Sequence, residues 1–204
     1  MARRSDHTRP QLKEMAITAA IQIIACDGLR ELSIRRIATK IGYTSGTLYQ
    51  LFENLDALIV EVHIATLNDM FSALKTVEIG NDSEASLLAL ASGFAATAGE
   101  NGNRWNALFS HSLPDEEDLP ERYTTAVNRL IGLCALALGP IFDGVADGEQ
   151  KARHEAHVLW ASFYGIISLD SAKKLPAFEP VDELTKSLVL SYVAGLRALH
   201  QNTT

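Results

Sequence analysis

Apolar residues recur at steps of three and four along almost the whole chain, and this spacing most limits the folds open to it. Near the N-terminus the pattern runs through Leu12, Ala16, Ala19, Ile23 and Cys26. A repeat of about 3.6 residues places such positions on one face of an α-helix, whereas a half-buried strand needs strict alternation. No convincing alternation occurs in the sequence. The pattern therefore predicts an all-α protein.

Residues that favour helix ends divide this pattern into about nine segments. Pro10 suits a first helical turn, Ser33 suits an N-cap, and Gly28 and Gly42 suit the position after a helix. The predicted helices cover about residues 10–27, 34–41, 45–50, 55–78, 83–99, 104–112, 120–138, 149–174 and 181–200.

Charge is divided unevenly along the chain. The net charge is −7, but residues 1–52 hold eight Lys or Arg against four Asp or Glu, whereas residues 53–204 hold ten against twenty-one. The first segment is therefore +4 and the second −11. A basic end on an acidic body is compatible with a segment that faces nucleic acid. The hydrophobic content of 47% also favours burial against a second copy of the chain.

The sequence predicts a cytoplasmic protein with free thiols. No stretch reaches the roughly 18 uncharged apolar residues of a membrane span, and the charged N-terminus is unlike a signal peptide. Cys26 and Cys134 are far apart in sequence, and each lies inside an apolar helical pattern. We therefore expect two buried, unpaired cysteines rather than a disulfide. The acidic run from Pro114 to Asp118 is expected to be a solvated connection.

The segment from Leu32 to Phe52 has the composition of two short helices joined by a tight turn. Two helices that cross steeply need a small residue where their backbones approach, and Ala38 supplies it. The turn needs a residue that tolerates an unusual backbone dihedral, and Gly42 follows four residues later. The residues placed to hold both helices against the first one are Ile34, Ile37, Ile41 and Leu48. This arrangement predicts a helix-turn-helix, whose second helix aims its N-terminal residues at a major groove.

The full string closely resembles the TetR family of transcription regulators. The resemblance covers about residues 8–62 and rests on LSIRRIATKIG and TSGTLYQLF, in which Thr-Leu-Tyr-x-x-Phe is the most specific element. It implies a helix-turn-helix DNA-binding domain at residues 1–54 and a helical ligand-sensing and dimerisation domain at residues 55–204. It also implies a homodimer that binds double-stranded DNA at a pseudo-palindromic operator and is released by a small molecule.

The resemblance also implies roles for individual residues. Those that match DNA-contacting positions of the family are Arg35, Thr44, Ser45, Gly46, Thr47 and Tyr49. Arg35 matches a position that contacts a base or a phosphate, and the next three match the base-facing start of the recognition helix. Thr47 and Tyr49 match positions that bind phosphate through their hydroxyls. For Tyr49, a core aromatic ring with an exposed hydroxyl stays open as an alternative.

One position departs from the family pattern. Leu55 stands where the family commonly has a lysine that contacts phosphate at the start of the fourth helix. The loss of one phosphate contact lowers the salt slope of DNA binding by about one unit per half-site. Arg3, Arg4 and Arg9 near the N-terminus are candidates to compensate, unless that arm is a solvated tail.

The last two predicted helices are expected to form the homodimer interface. Trp160 is followed four residues later by Tyr164 and then by Gly165. This resembles a pattern in one group of TetR C-terminal domains, which has histidine in place of Tyr164. Residues 158–169 are apolar almost all round the helix, and the last helix has the same excess, with Leu188 and Leu196 among its apolar residues.

The resemblance also places a set of aromatic residues on the helices that surround a ligand cavity in the family. These residues are Phe71, Phe94, Trp105, Phe109, Trp160, Phe163 and Tyr164. Asn106, His111 and Tyr164 are the polar candidates, and Arg104 can meet an anionic group if it turns inward. The set predicts a small apolar ligand, aromatic or acyl-chain in character. The alternative is that these aromatic residues are simply core.

No enzymatic site, metal site or cofactor is predicted. His154 and His157 are spaced to reach one metal ion, but neither a Glu-x-x-His pair nor a zinc-protease motif is present. Ser110-His111-Ser112 lacks the glycine frame of a hydrolase nucleophile. The alternative function is that of a helical ligand-binding or adaptor protein without DNA binding. Leu55 and the small positive charge favour that alternative, and the recognition-helix string opposes it.

Overall fold

A computed structural model describes residues 7–112, 119–171 and 180–201. Within these ranges the chain forms nine α-helices and no strand, so the predicted all-α fold is confirmed. The helices are α1 (Arg9–Asp27), α2 (Ile34–Ile41), α3 (Ser45–Tyr49), α4 (Leu55–Leu74), α5 (Ser83–Glu100), α6 (Gly102–Ser110), α7 (Glu121–Leu138), α8 (Gly148–Ser171) and α9 (Val181–Gln201). Short 3-10 turns at Leu29–Glu31 and Gly139–Phe142 are additional to the prediction.

Local hydrogen bonds set the ends of the first two helices at or next to the predicted residues. The Thr8 hydroxyl accepts from the Gln11 N–H, and the Gln11 side chain accepts from the Thr8 N–H, so α1 begins with a capping box. Gly28, with φ +84°, ends α1, and Gly42, with φ +77°, ends α2. The Ser33 hydroxyl caps α2.

The fourth helix ends at Leu74 rather than near Glu78. The Thr76 hydroxyl donates to the Ala73 carbonyl oxygen at 2.7 Å, which replaces a backbone donor at the helix end. The predicted end of the eighth helix near Lys174, the acidic connection at 114–118, and Arg3 and Arg4 lie outside the described residues.

The chain divides into two compact units, and the first contains residues 1–66 and 101–123. Its core is built mainly from α1, whose Ala16, Ala20 and Ile24 are fully buried. Side chains of α2, α3, α4 and α6 complete this core, among them Ile37, Leu48, Leu58 and Ala107. Ile34, Ile37 and Leu48 are buried there and Ile41 packs against them, so the predicted anchoring of the two short helices is confirmed.

The second unit contains residues 67–100 and 124–204. In it α5 packs along α9, while α8 contacts α9 and the turn at Gly139–Phe142. Leu87 of α5, Leu159 of α8, and Val189 and Val193 of α9 are fully buried. The α4 helix contributes residues 55–66 to the first unit and 67–74 to the second. The predicted domains at 1–54 and 55–204 follow the family pattern and stay a prediction.

Two expectations about burial are wrong. Cys26 is exposed, because the buried face of α1 continues through Ile23 and Ile24 and the helix ends one residue after the cysteine. Cys134 is buried as expected, and burial raises the pKa of its thiol to about 12. Leu196, expected in a dimer interface, is only 6% exposed within one chain, so it belongs to the core of the second unit.

Two apolar segments, α4 and Glu121–Phe142, meet the length and hydropathy of a membrane span. Both segments contain charged residues, so neither is the stretch of about 18 uncharged apolar residues that the sequence excludes. Of the apolar stretch of α4 that meets these measures, 56% is buried inside the fold. The helix also carries Glu61, whose carboxylate lies 2.6 Å from both Lys13 and Arg122. A buried, ion-paired carboxylate is typical of a core helix in a soluble protein.

Candidate nucleic-acid interface

The five-residue helix α3 has one buried side and one open side. The Thr44 hydroxyl caps the helix by accepting from a backbone N–H of its first turn. Leu48 is 0% exposed and Phe52, just beyond the helix, is 5% exposed. Tyr49 is 60% exposed, so its interpretation as a core aromatic is wrong. The core holds α3 through Leu48 and Phe52, and Thr44, Gly46 and Tyr49 face outward.

The turn between α2 and α3 is fixed by the small residues that the sequence singles out. Ala38 is 2% exposed, where α2 packs in the core. Gly42 adopts the left-handed conformation, and the next N–H, of Tyr43, donates to the Ala38 carbonyl oxygen at 2.9 Å. This bond closes the end of α2 and redirects the chain into α3.

Ser45 and Thr47 are less open than the other predicted contact residues. Both are half-buried, and the Thr44 and Thr47 hydroxyls lie 3.1 Å apart in a hydrogen bond. Five of the six predicted residues therefore lie on α3 or its cap, and two of their hydroxyls already bond to each other.

The sixth, Arg35, and its neighbour Arg36 have different surroundings at the start of α2. Arg36 forms ion pairs with Asp27 and with Glu31. Arg35 is exposed and forms no ion pair with any residue in the described ranges. Both arginines and Lys40 line a cleft of about 490 Å³ against the C-terminal half of α1. Arg36 therefore supports the fold of this region, whereas Arg35 is available to an external anion.

Two residues at the start of α1 contact the α2–α3 region in ways that the sequence did not predict. The Arg9 guanidinium donates to the Gln50 carbonyl oxygen at 2.8 Å. That carbonyl follows the last residue of α3, where a helix lacks backbone donors. His7 Nδ1 lies 2.8 Å from the Tyr43 hydroxyl. Arg9 thus stabilises the end of α3 in addition to carrying positive charge.

A partly buried polar chain links α4 to the end of α6 in the first unit, and only His111 of it was singled out from the sequence. Asp56 Oδ1 lies 2.9 Å from His111 Nε2, and His111 Nδ1 lies 3.2 Å from His63 Nε2. His63 is 3% exposed, and its Nδ1 has no hydrogen-bond partner among the described residues. Burial, and secondarily the neighbouring His111, lower the pKa of His63 to about 4. Asp56 and His63 are seven residues apart, so they lie on one face of α4. This spacing of two polar residues is the sequence signal from which the polar chain could have been predicted.

Arg104, the candidate for meeting an anion, points inward. It is 8% exposed, and its Nε donates to the Thr66 hydroxyl at 3.2 Å. His111, a second polar candidate, is committed to the chain with His63 and Asp56. Both side chains therefore hold α6 to α4 in the first unit.

The seven aromatic residues predicted to surround a ligand do not form one cluster. Phe94 lies 5.5 Å from Trp160 and 6.5 Å from Phe163, between ring centroids, in the second unit. Trp105 and Phe109 form a separate pair in the first unit, with centroids 5.6 Å apart. Phe71 lines a cavity of about 630 Å³ in the second unit, and it is the only one of the seven that does. Tyr164 is half-buried on α8.

Groups considered for catalysis or metal binding have other partners. The Ser110 hydroxyl donates to the Asn106 carbonyl oxygen at 2.6 Å. His157 Nδ1 lies 2.7 Å from the Arg153 carbonyl oxygen. In the part of the chain that the structure describes, no group of three or more His, Cys, Asp or Glu side chains could hold a metal ion.

Comparison with known proteins identifies two matching regions. Residues 16–62 match the tetR family of bacterial regulatory proteins, and residues 87–192 match the tetracyclin repressor-like C-terminal domain. An uncharacterised HTH-type transcriptional regulator of Mycobacterium tuberculosis, Rv0681, is 25% identical over 193 residues, which cover 94% of this chain and 85% of that protein.

Solved structures share the fold. A TetR transcriptional regulator from Rhodococcus sp. RHA1 matches 91% of this chain and 97% of its own, with a TM-score of 0.65 and 13% identity. A tetR-family regulator from Streptomyces coelicolor matches 96% of this chain and 84% of its own, with a TM-score of 0.66 and 17% identity. The two matching regions, of which the first includes the helix-turn-helix described above and the second covers more than half of the chain, show that the chain belongs to the TetR family of transcriptional regulators.

Proposed function

We propose that the protein is a dimeric repressor that binds a pseudo-palindromic operator through α2 and α3 and is released by a small apolar ligand. The observation that carries the DNA-binding part is the open side of α3. Thr44, Gly46 and Tyr49 face outward from a helix that Leu48 anchors in the core. In helix-turn-helix proteins the recognition helix presents such a face to base edges in the major groove.

Arg35, Ser45, Thr47 and Tyr49 take the remaining contacts in this proposal. Arg35 has an exposed guanidinium next to the basic cleft of α2, which suits a base edge or a phosphate. The Tyr49 hydroxyl, on a side chain that is 60% exposed, suits a phosphate oxygen. Two recognition helices about 34–36 Å apart would enter successive major grooves.

Exposed apolar residues on α8 and α9 support a homodimer through these helices. Val158 is 40% and Leu169 44% exposed on α8, and Leu190 is 37% exposed on α9. Small exposed residues occur on the same helices, namely Ala161 on α8 and Ala194 and Gly195 on α9. Small side chains let helices from two copies approach closely, and burial of the large ones in a four-helix interface removes apolar surface from water.

Release by a ligand is the part of the proposal that concerns regulation. The second unit contains a cavity of about 630 Å³, within the range of small-molecule sites. A ligand shifts the balance between DNA-binding and released conformations only by its different affinity for the two. The proposal places the protein in the cytoplasm, where its DNA is.

Arg35 and Arg36 form a matched pair for testing the DNA interface. Fluorescence anisotropy with DNA from upstream of the protein's own gene would compare wild type, Arg35→Ala and Arg36→Ala. We expect wild type to bind, and Arg35→Ala to lose about 1–3 kcal/mol per half-site. Arg36→Ala should keep most of the affinity, because Arg36 is already paired with Asp27 and Glu31.

Thr44 stays unchanged in this test because its hydroxyl caps α3. Wild-type affinity in Arg35→Ala would contradict the assigned surface. Absence of binding by the wild-type protein to any such DNA would favour the adaptor function instead.

A further inference from the structure

The cavity in the second unit lies against one side of α7, beside the first turns of α8. It has a volume of about 630 Å³, and Phe71 of α4 and Phe142 of the turn after α7 form part of its wall. Six of the seven aromatic residues predicted from the sequence lie elsewhere. The cavity is therefore a different place from the one that the aromatic pattern indicates, and it needs its own explanation.

Two glycines of the α7 region keep this space open. A Cβ atom built on Gly132 or on Gly139 meets no other atom within 4 Å. Gly132 lies inside a helix, where glycine is less favourable than alanine by about 1 kcal/mol, and no close packing requires it there. The unfilled space beside it is the structural consequence of having glycine at this position.

The wall of the cavity is mainly apolar. Besides the two phenylalanines it includes Leu133, Leu136 and Ala152. Leu136 is 65% exposed, so an apolar occupant of the cavity would remove part of its surface from water. The body of a fitting ligand is therefore apolar.

Two arginines bring positive charge to this apolar space. The Arg129 guanidinium lies over the Phe71 ring, 4.1 Å from its centroid, and Arg153 of α8 also lines the cavity. Stacking uses the face of a guanidinium and leaves its N–H edge free to bind a carboxylate in a bidentate way. Among the described residues, the ion pairs within 4 Å include neither of these two arginines.

Two carboxylates, those of Asp143 and Glu149, also line the cavity. Glu149 lies in the first turn of α8, where the helix dipole stabilises a negative charge. The helix end therefore already compensates Glu149, which leaves Arg129 and Arg153 facing one remaining carboxylate, that of Asp143, among the described residues of the wall. This excess of positive charge favours an anionic over a cationic ligand.

We propose that this cavity binds a monocarboxylate with an apolar body, with Arg129 on the carboxylate and Phe71, Leu133 and Phe142 around the body. The inference rests on the proposed function in so far as it makes this molecule the regulating ligand. The binding itself is a property of the second unit and can be tested without DNA.

Three probes with the same ten-carbon chain separate the contributions of charge and apolar body: decanoate, decan-1-ol and decylamine. Isothermal titration of the full-length protein, with decanoate and decylamine below their micelle concentrations and decan-1-ol below its solubility limit, measures their dissociation constants. We expect decanoate to bind at least tenfold more tightly than decylamine, a difference of about 1.4 kcal/mol or more. Equal binding of the three probes, tighter binding of decylamine, or no binding of decanoate would overturn the proposal.

Two variants, each with a matched control, place the probe in the cavity. Gly132→Leu adds a side chain where a Cβ atom meets open space and should abolish decanoate binding, whereas Gly99→Leu, at another open helical glycine, should not. Arg129→Gln should weaken decanoate about tenfold and leave decan-1-ol unchanged, while Lys151→Gln, outside the cavity, should change neither. Wild-type decanoate binding by folded Gly132→Leu, confirmed by circular dichroism, would overturn the assignment.

DNA binding distinguishes the inference from the proposed function. Decanoate that binds in the cavity without releasing operator DNA would support the site and refute ligand control through it. DNA binding together with no decanoate binding would refute only the site.

Discussion

At the scale of residues, His63 combines deep burial with an unsatisfied ring nitrogen. His111 Nε2 faces the Asp56 carboxylate, so it carries the proton and donates there. His111 Nδ1 then accepts from the Nε2–H of His63, which leaves the buried His63 Nδ1 as a lone pair without a partner among the described residues. Protonation of that nitrogen would place a buried charge beside His111, and this is why the pKa of His63 falls to about 4.

We therefore expect acid to destabilise the protein as the pH falls from 6.5 towards 4. His63 binds its proton near pH 6.5 in the unfolded chain and near pH 4 in the folded one, so the unfolded state takes it up first. Above pH 6.5 His63 is neutral in both states and the free energy of unfolding is unaffected by its titration. By pH 4, uptake of the proton by the unfolded chain lowers the free energy of unfolding by about 3 kcal/mol. Urea unfolding at fixed protein concentration measures the change. His63→Gln should flatten this part of the curve, and an unchanged slope would speak against His63 as its source.

At the scale of elements, charge as well as packing holds α4 to α1. The Glu61 carboxylate, on a residue that is 8% exposed, lies 2.6 Å from Lys13 of α1 and 2.6 Å from Arg122 of α7. Lys13 also lies 5.7 Å above the Phe52 ring, just after the recognition helix. The first unit thus depends on one buried carboxylate with two cations.

Removal of that charge should cost stability. Glu61→Gln is expected to lower the free energy of unfolding because it removes the charge that pairs with Lys13 and Arg122. The loss should be about 1–2 kcal/mol, since both half-exposed cations can turn to water. Glu84→Gln is the matched control, since Glu84 pairs with Arg197 at an exposed site, 3.6 Å away. That change should stay within about 0.5 kcal/mol. Equal losses of unfolding free energy in both variants would show that the burial of Glu61 does not strengthen its ion pairs.

The α8 and α9 helices allow the dimer proposal to be tested without unfolding the chain. Val158→Asp with Leu190→Asp should give folded monomers, because both residues are exposed within one chain, at 40% and 37%. Leu196→Asp should instead unfold the chain, since a buried unpaired charge costs several kcal/mol. Sedimentation equilibrium with circular dichroism distinguishes these outcomes. An intact dimer in the double variant would move the interface elsewhere.

The helices could be predicted, whereas the grouping of side chains between helices could not. Helix ends at Ser33, Gly42 and Thr44 depend on neighbours three or four residues away, so the local sequence contains the information. The aromatic set depends on which helices meet, and the spacing within one helix says nothing of its partner. Phe71 and Phe94 are both apolar positions on long helices, yet one lines a cavity and the other packs on Trp160. For the same reason, periodicity alone placed Leu196 in an interface and Cys26 in the core.

At the scale of the whole molecule, positive charge is scarce where DNA is expected to bind. Residues 1–52 carry a net charge of +4, and the remainder carries −11. Leu55, at the position of the family's common lysine, packs half-buried against the core of the first unit. Its apolar side chain therefore contributes to folding where a lysine would contribute to phosphate binding.

Leu55→Lys should strengthen DNA binding and make it more dependent on salt. One added phosphate contact per subunit steepens the slope of log K against log salt by about 2 units per dimer. The change should also cost about 1–2 kcal/mol of stability from lost apolar burial. Anisotropy titrations between 50 and 200 mM salt measure the slope, and Leu55→Met should leave it unchanged. A slope that Leu55→Lys does not alter would mean that this position faces away from the DNA backbone.

The recognition helix also has a consequence for how such a regulator can change over generations. A helix of five residues is too short to be stable alone, so α3 depends on Leu48 inside the core. Gly46, Tyr49 and Gln50 are exposed, and a Cβ atom added at Gly46 would meet only the Thr44 hydroxyl, at an ordinary 3.8 Å. In the proposed interface, the exposed residues Gly46, Tyr49 and Gln50 would therefore be separate from Leu48, which holds the helix in the fold. A duplicated gene could acquire a new operator through the exposed positions while its fold, held by Leu48, is inherited unchanged.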